Sequence, residues 1–273
     1  MWHSVPMSDM DKATGLYQIS ELVFHSDLSE QQIIAKSISY LELSDIPVEE
    51  FTSMLGSFDR ATQIVGLTGP SGVGKSTLLC QLLRHCCELR LKVAVIAIDP
   101  SSSQHGGAFL GDRIRLTPDI DLDQVYFRSM ASGGGLTGLP NALLNSFELF
   151  SFFGFDLVFV ETTGAGQLDT SIRSIVSTLV NVLSPFVGDE MQIIKSGLMD
   201  IGDVYFVNKS DISDPGNVVH TLNFKFMVTR PRKRESYPVV LFGSALSSSG
   251  IAELFFAIRS HGQFLPPKSS ERV

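Results

Sequence analysis

Gln63-Ile64-Val65-Gly66-Leu67, and just beyond it Gly69-Pro70-Ser71-Gly72-Val73-Gly74-Lys75-Ser76-Thr77, carry the architecture of this chain most plainly. The first run is short and β-prone. The second fits the P-loop pattern GxxxxGK[ST]. It leads into Leu78, Leu79, Leu82, Leu83, Cys86 and Leu89 at helical spacing, which predicts a helix from Gly74 to about Leu91. Strand, glycine-rich loop and helix in that order turn backbone N–H groups and a helix N-terminus toward phosphate oxygens. Gly69, Ser71, Gly72, Val73, Gly74, Lys75, Ser76 and Thr77 are therefore the expected phosphate cradle. Lys75 is expected to reach the β- and γ-phosphates, and the Ser76 hydroxyl to take a Mg²⁺ coordination site.

On the C-terminal side, Val93 to Ile98 is a continuous apolar run, the mark of a strand buried on both faces. Further strands are expected at Val125–Phe127, Leu157–Val160, Leu179–Leu183, Val204–Val207 and Val239–Phe242, with helices near 138–153, 190–200 and 249–261. This alternation predicts an α/β P-loop NTPase fold, a mostly parallel sheet flanked by helices. On the N-terminal side, Ser29 with Gln32 three residues on forms a capping box that opens Ile33, Ile34, Ile38 and Leu41. Residues 1–60 are read as an N-terminal helical extension, 61–261 as the P-loop domain, and 262–273 as a disordered tail. Residues 1 to about 28 are weakly patterned.

The other candidate residues follow strands, where open α/β sheets bind ligands. Asn208-Lys209-Ser210-Asp211 ends the 204–207 run and fits NKxD, in which the Asp211 carboxylate accepts from guanine N1–H and its exocyclic amine. Ser244-Ala245-Leu246 follows the next strand and would complete a guanine pocket through its backbone. Asp99 ends the 93–98 run, either as a carboxylate for Mg²⁺ or its waters or as a cap. Asp112 stands beyond a Gly-rich segment with the character of a switch. Glu161, at the end of the 157–160 run, would contact the Mg²⁺ shell, and Gly164 would give its N–H to the γ-phosphate. Gln167 either orients water or is solvated.

Composition bounds the rest. The chain has 273 residues, 44% of them hydrophobic and 18% charged, enough for a sizeable core and too apolar for disorder. Three cysteines, Cys80, Cys86 and Cys87, exclude a disulfide scaffold and point to a reducing compartment. Cys86 is read as core and Cys87 as incidental, and the six histidines as surface or packing residues. A net charge of −8 argues against a nucleic-acid partner. Arg230-Pro231-Arg232-Lys233-Arg234 reads as a solvated loop. Mean hydropathy is +0.19, yet the greasiest stretch, Ala142 to Val160, is interrupted by polar residues and is not expected to span a membrane. No signal or transit peptide is recognised at the N-terminus.

Taken in order, GxTGxxGxGKST, IDPSS, LGD, GFDxxxVET-x-G-x-GQ, GDE-x-Q-x-IK, NKxD and SAL resemble the MeaB/ArgK family, the methylmalonyl-CoA mutase-associated GTPases, over residues 60–260. The resemblance implies a Mg²⁺-dependent GTPase that binds GTP/GDP and assists an adenosylcobalamin-dependent, methylmalonyl-CoA-type mutase in cofactor loading and protection. It implies Lys75, Ser76 and Thr77 at phosphate and Mg²⁺, and Asp99, Asp112 and Glu161 around the metal. Gly188 to Lys195 would be the switch that signals to the mutase, and Asn208, Lys209, Asp211, Ser244 and Ala245 would hold guanine. Thr163 and Ala165 replace the usual Val, Ile193 replaces the usual Gly, and the stretch between Asp211 and Pro238 is short. A homodimer formed through a C-terminal helical arm is also implied, whereas only Gly262 to Val273 follow the matched region. The expected compartment is the cytoplasm, or the mitochondrial matrix in a eukaryote. Alternatives are a metal-insertion GTPase, a kinase of an amino-acid transport binding protein, and a GTP-binding module without turnover.

Overall fold

Alternating apolar side chains with both faces buried build the central sheet. A computed structural model describes residues 7–57, 62–99, 124–131, 139, 142–162, 171–185, 202–229 and 238–263. Its strands are β1 (Gln63–Thr68), β2 (Val93–Asp99), β3 (Val125–Ala131), β4 (Leu157–Thr162), β5 (Thr178–Leu183), β6 (Val204–Val207) and β7 (Val239–Phe242). All pair in parallel, in the order β3-β2-β4-β1-β5-β6-β7. Each strand expected from the sequence is present. β3 runs four residues beyond its expected end at Phe127, held in register against β2 as far as Asp99–Ala131.

Odd and even positions go to opposite layers. Val65, Leu67, Val93, Val95, Leu157 and Phe159 face one layer, where α4 (Lys75–Glu88) packs with a C-terminal helix, Ile251–Gln263. Ala94, Ile96, Val158 and Val160 face the other, covered by α1 (Met7–His25), α2 (Glu30–Leu43), α3 (Val48–Leu55) and α5 (Ala142–Phe152). α6 (Gly216–Thr229) covers the end of that face, with Val218, Leu222 and Phe226 against Leu183, Tyr205 and Val207. The Ile251–Gln263 helix is α7.

The N-terminal helices are thus built into the sheet's core. Ile34, Ile38 and Phe51 are fully buried there. The Ser29–Gln32 capping box forms as expected, with Ser29 N donating to Gln32 Oε1 at 3.1 Å. Arg128 of β3 is buried and forms an ion pair with Glu42 of α2. Lys92 ties α2 to the opposite end of the sheet through Glu30 at 2.6 Å.

α1 and α3 fall within the expected helical extension, although the sequence places no separate bounds on them, and α6 is not expected. Another difference lies at residue 262, where the sequence reading begins a disordered tail. α7 continues through Gly262 to Gln263. Gly262 lies so close to the Gln63 side chain that a Cβ there would meet its Nε2 at 2.1 Å, so the missing side chain permits packing rather than ending the helix. The helix expected near 190–200 and residues 264–273 lie outside the described residues. Among the described residues no helix is long and apolar enough to cross a membrane.

Candidate functional site

The order of strands reverses at β1: the chain leaves it for β2 and β3 on one side and returns to β5, β6 and β7 on the other. Such a switch point opens a crevice at the carboxyl ends of the strands. The loops after β1, β6 and β7 and the end of β4 meet there.

The loop after β1 is shaped by its glycines. Gly69 has φ 143, and a Cβ there would meet the Val182 carbonyl of β5 at 2.1 Å. Gly74, with φ 93, immediately precedes α4, and a Cβ there would strike the Asn208 amide at 2.6 Å. A side chain at Gly69 would have to move backbone, and one at Gly74 would be strained by the positive φ and would displace the Asn208 amide. Lys75 is 7% exposed, and its Nζ donates to Gly69 O at 2.8 Å and Pro70 O at 3.0 Å. Its charge is therefore held over the loop. Ser71, Gly72, Ser76 and Thr77 are exposed around it, and Val73 is buried beneath.

Ser76 and Glu161 come from segments far apart in sequence, yet the Ser76 hydroxyl donates to Glu161 Oε1 at 2.6 Å. Glu161 is 8% exposed, at the end of β4 between β1 and β2. A hydroxyl and a carboxylate so placed are hard oxygen donors. They fit a small divalent cation such as Mg²⁺ shared with substrate phosphates. Asp99 closes β2 opposite Ala131, two strands from β1.

Asn208, 2% exposed, joins the phosphate loop to the loop after β7. Its Nδ2 donates to Val73 O at 2.8 Å, and its Oδ1 accepts from Ala245 N at 2.8 Å. Both ends of its amide are thereby engaged with protein. Lys209, at φ 66, sends its Nζ to Gly72 O at 2.7 Å. Asp211 is exposed at the rim. Ser244 is buried; it exchanges backbone hydrogen bonds with Ser249 at 3.0 and 3.1 Å, and its Oγ accepts from Leu246 N at 3.2 Å. Leu246 is exposed. Of the 244–246 backbone, expected from the sequence to complete a guanine pocket, the Ala245 N–H is engaged by Asn208.

Lys75, Ser76, Glu161, Asn208, Lys209 and the 244–246 loop are thus gathered at one end of the sheet. Asp112, Gly164, Gln167 and the 188–195 segment lie outside the described residues. Sequence reading missed Gln81 of α4, whose Nε2 donates to Ala245 O at 2.9 Å. Its signal was a polar residue set between the apolar pairs Leu78-Leu79 and Leu82-Leu83. Elsewhere His85 packs edge-on against Phe255, with centroids 5.0 Å apart, and Cys86 is fully buried, as expected.

A family model described as methylmalonyl-CoA mutase-associated GTPase MeaB matches residues 35–272. A Pyrococcus abyssi protein named as a GTPase is 36% identical over 249 residues, covering 90% of this chain and 77% of its own length. The fused isobutyryl-CoA mutase of Nocardia farcinica is 32% identical over 212 residues, which are 76% of this chain but 19% of that protein. Among solved structures, a LAO/AO transport system kinase is similar with a TM-score of 0.65 and 26% identity, over 96% of this chain and 77% of that one.

Proposed function

This chain belongs to the MeaB family of methylmalonyl-CoA mutase-associated P-loop GTPases, and from that premise we propose that it is a Mg²⁺-dependent, GTP-hydrolysing chaperone of an adenosylcobalamin-dependent acyl-CoA mutase. One observation carries the mutase assignment. The Nocardia farcinica relative, named as a fused isobutyryl-CoA mutase, contains a segment matching 76% of this chain. A GTPase encoded within a mutase polypeptide acts beside that mutase at high effective concentration.

In this reading the backbone N–H groups of residues 71–77, with the Lys75 side chain, bind and orient the triphosphate. Ser76 and Glu161 hold Mg²⁺, with Asp99 and Asp112 as further carboxylates. When bound, the ion neutralises charge developing between the β- and γ-phosphates. Lys75 stabilises the same charge from the loop side, in a site already organised before reaction. Asp211 reads the guanine edge. Gly164 and Gln167 meet the γ-phosphate and its attacking water, and Gly188 to Lys195 reports nucleotide state to the mutase. Those last roles rest on sequence pattern.

GTP turnover measured with Mg²⁺, alone and with increasing acyl-CoA mutase, tests the reading. Acceleration that saturates with mutase is expected. Turnover indifferent to every mutase offered would overturn the chaperone role while leaving a GTPase. The similarity to a transport system kinase favours one other reading, phosphoryl transfer to a binding protein. Labelled phosphate found on such a protein, rather than free in solution, would select it.

A further inference from the structure

The 244–249 loop has few apolar anchors. Leu246 is 80% exposed, and Ser247, Ser248 and Ser249 are exposed as well. A segment of this kind opens at low cost unless polar contacts pin it. Two side chains take hold of the same residue. Asn208 accepts from the Ala245 N–H at 2.8 Å, and Gln81 donates to the Ala245 carbonyl at 2.9 Å. Gln81 is pinned in turn, since its Oε1 accepts from Ser248 Oγ at 3.1 Å, with Ser248 in a left-handed backbone conformation at φ 60. Asn208 leads back to Val73 of the phosphate loop, and Gln81 stands on α4, the helix that begins at Lys75.

We propose that Gln81 is a positioning residue for guanine recognition, one that fixes the Ala245–Leu246 backbone against the phosphate-binding helix. The base and phosphate halves of the pocket then form one rigid unit, and withdrawal of Gln81 frees the base without disturbing the phosphate cradle. This rests on the reading of Ser244 to Leu246 as part of a guanine pocket. Gln81 also borders an open cleft of about 470 Å³ with Arg84, His85, Glu88, Ser248 and Ile251. A replaced side chain therefore has room and does not strain the core.

The test uses the full chain with Gln81→Leu, Gln81→Glu and Ser248→Ala. It measures affinity and release of fluorescent GDP, competition by ADP and inorganic tripolyphosphate, and thermal melting. Leaving the buried Ala245 carbonyl without its donor is expected to weaken GDP about 10-fold in Gln81→Leu, through faster release. Tripolyphosphate affinity should stay within about two-fold, since none of its contacts change. Gln81→Glu keeps the acceptor for Ser248 but turns a carboxylate oxygen toward the Ala245 carbonyl, so it should lose at least as much. Ser248→Ala should lose a few-fold. Equal loss of GDP and tripolyphosphate binding would overturn the proposal, as would unchanged GDP affinity in both Gln81 variants. If Gln81→Leu does not fold, Gln81→Glu and Ser248→Ala decide. A wild-type chain without preference for GDP over ADP defeats the guanine reading itself, and the proposal with it.

Discussion

Asn208 does more in the fold than its motif requires. Its amide is buried, and Ala substitution leaves the Val73 carbonyl and the Ala245 N–H without partners. Each such loss costs about 1–3 kcal/mol. Asn208→Ala is therefore expected to lower unfolding stability by about 2–6 kcal/mol in denaturant titration even without nucleotide. Asp211 is exposed and holds nothing comparable, so Asp211→Asn should leave stability unchanged. It should instead shift preference from GTP toward xanthosine triphosphate, because the amide reverses the hydrogen-bond demand; competition binding checks this. Cys86 offers a pH test. Burial, reinforced by neighbouring Cys87, pushes its thiol from 9.0 up to about 12. The folded state holds that proton more tightly than the unfolded one, so the stabilisation is complete below about pH 9 and is lost as pH rises toward 12. Iodoacetamide at pH 8 should label the half-buried Cys80 and Cys87 and spare Cys86 in the native chain. The GxxxxGK[ST] and NKxD segments stand out in the sequence because their chemistry calls for particular residue types at fixed spacing, and the fold brings Lys75, Ser76, Glu161 and Asn208 to one end of the sheet. Gln81 shows in the sequence only as a polar residue between apolar pairs; its partner lies far along the chain, and the fold alone brings them together.

At the level of elements, the strands and α4 were legible because each carries a continuous or periodic apolar signal. α2 was legible from its capping box. α1 was hidden because, of the residues described along it, Ile19 is fully buried while much of the rest is half-buried or exposed. α3 is eight residues long, too short for periodicity, though Pro47 before it and Glu49 and Glu50 in its first turn are start signals. α6 starts where Asp214 accepts from Gly216 N at 2.9 Å, a local turn that any polar loop can form. The shortness of α3 conceals its weight in the core. Phe51 has no exposed surface, and α3 packs against α5 and α1 in the same core cluster. Phe51→Ala should cost about 3–5 kcal/mol, read as a shifted urea midpoint with unchanged slope.

For the whole molecule, the helices before β1 and the sheet share one apolar layer. A chain beginning after residue 57 leaves Ala94, Ile96, Val158 and Val160 without α1, α2 and α3 over them. It is expected to melt without a cooperative transition and to bind hydrophobic dyes; a sharp melt with retained GDP binding would show an independent P-loop domain. The strand order also bears on how the chain comes to be folded. β1 is the first strand made, and its neighbours in the finished sheet are among the later ones: Gln63 pairs with Leu157, and Val65 with Thr178. At ordinary rates of synthesis, about 5–20 residues per second, it waits on the order of 5–20 s for its first partner. During that time an apolar strand has two open edges, the arrangement most prone to capture by other chains. The ribosome's pace between residues 69 and 156, rather than the strength of the finished sheet, sets the length of that exposure.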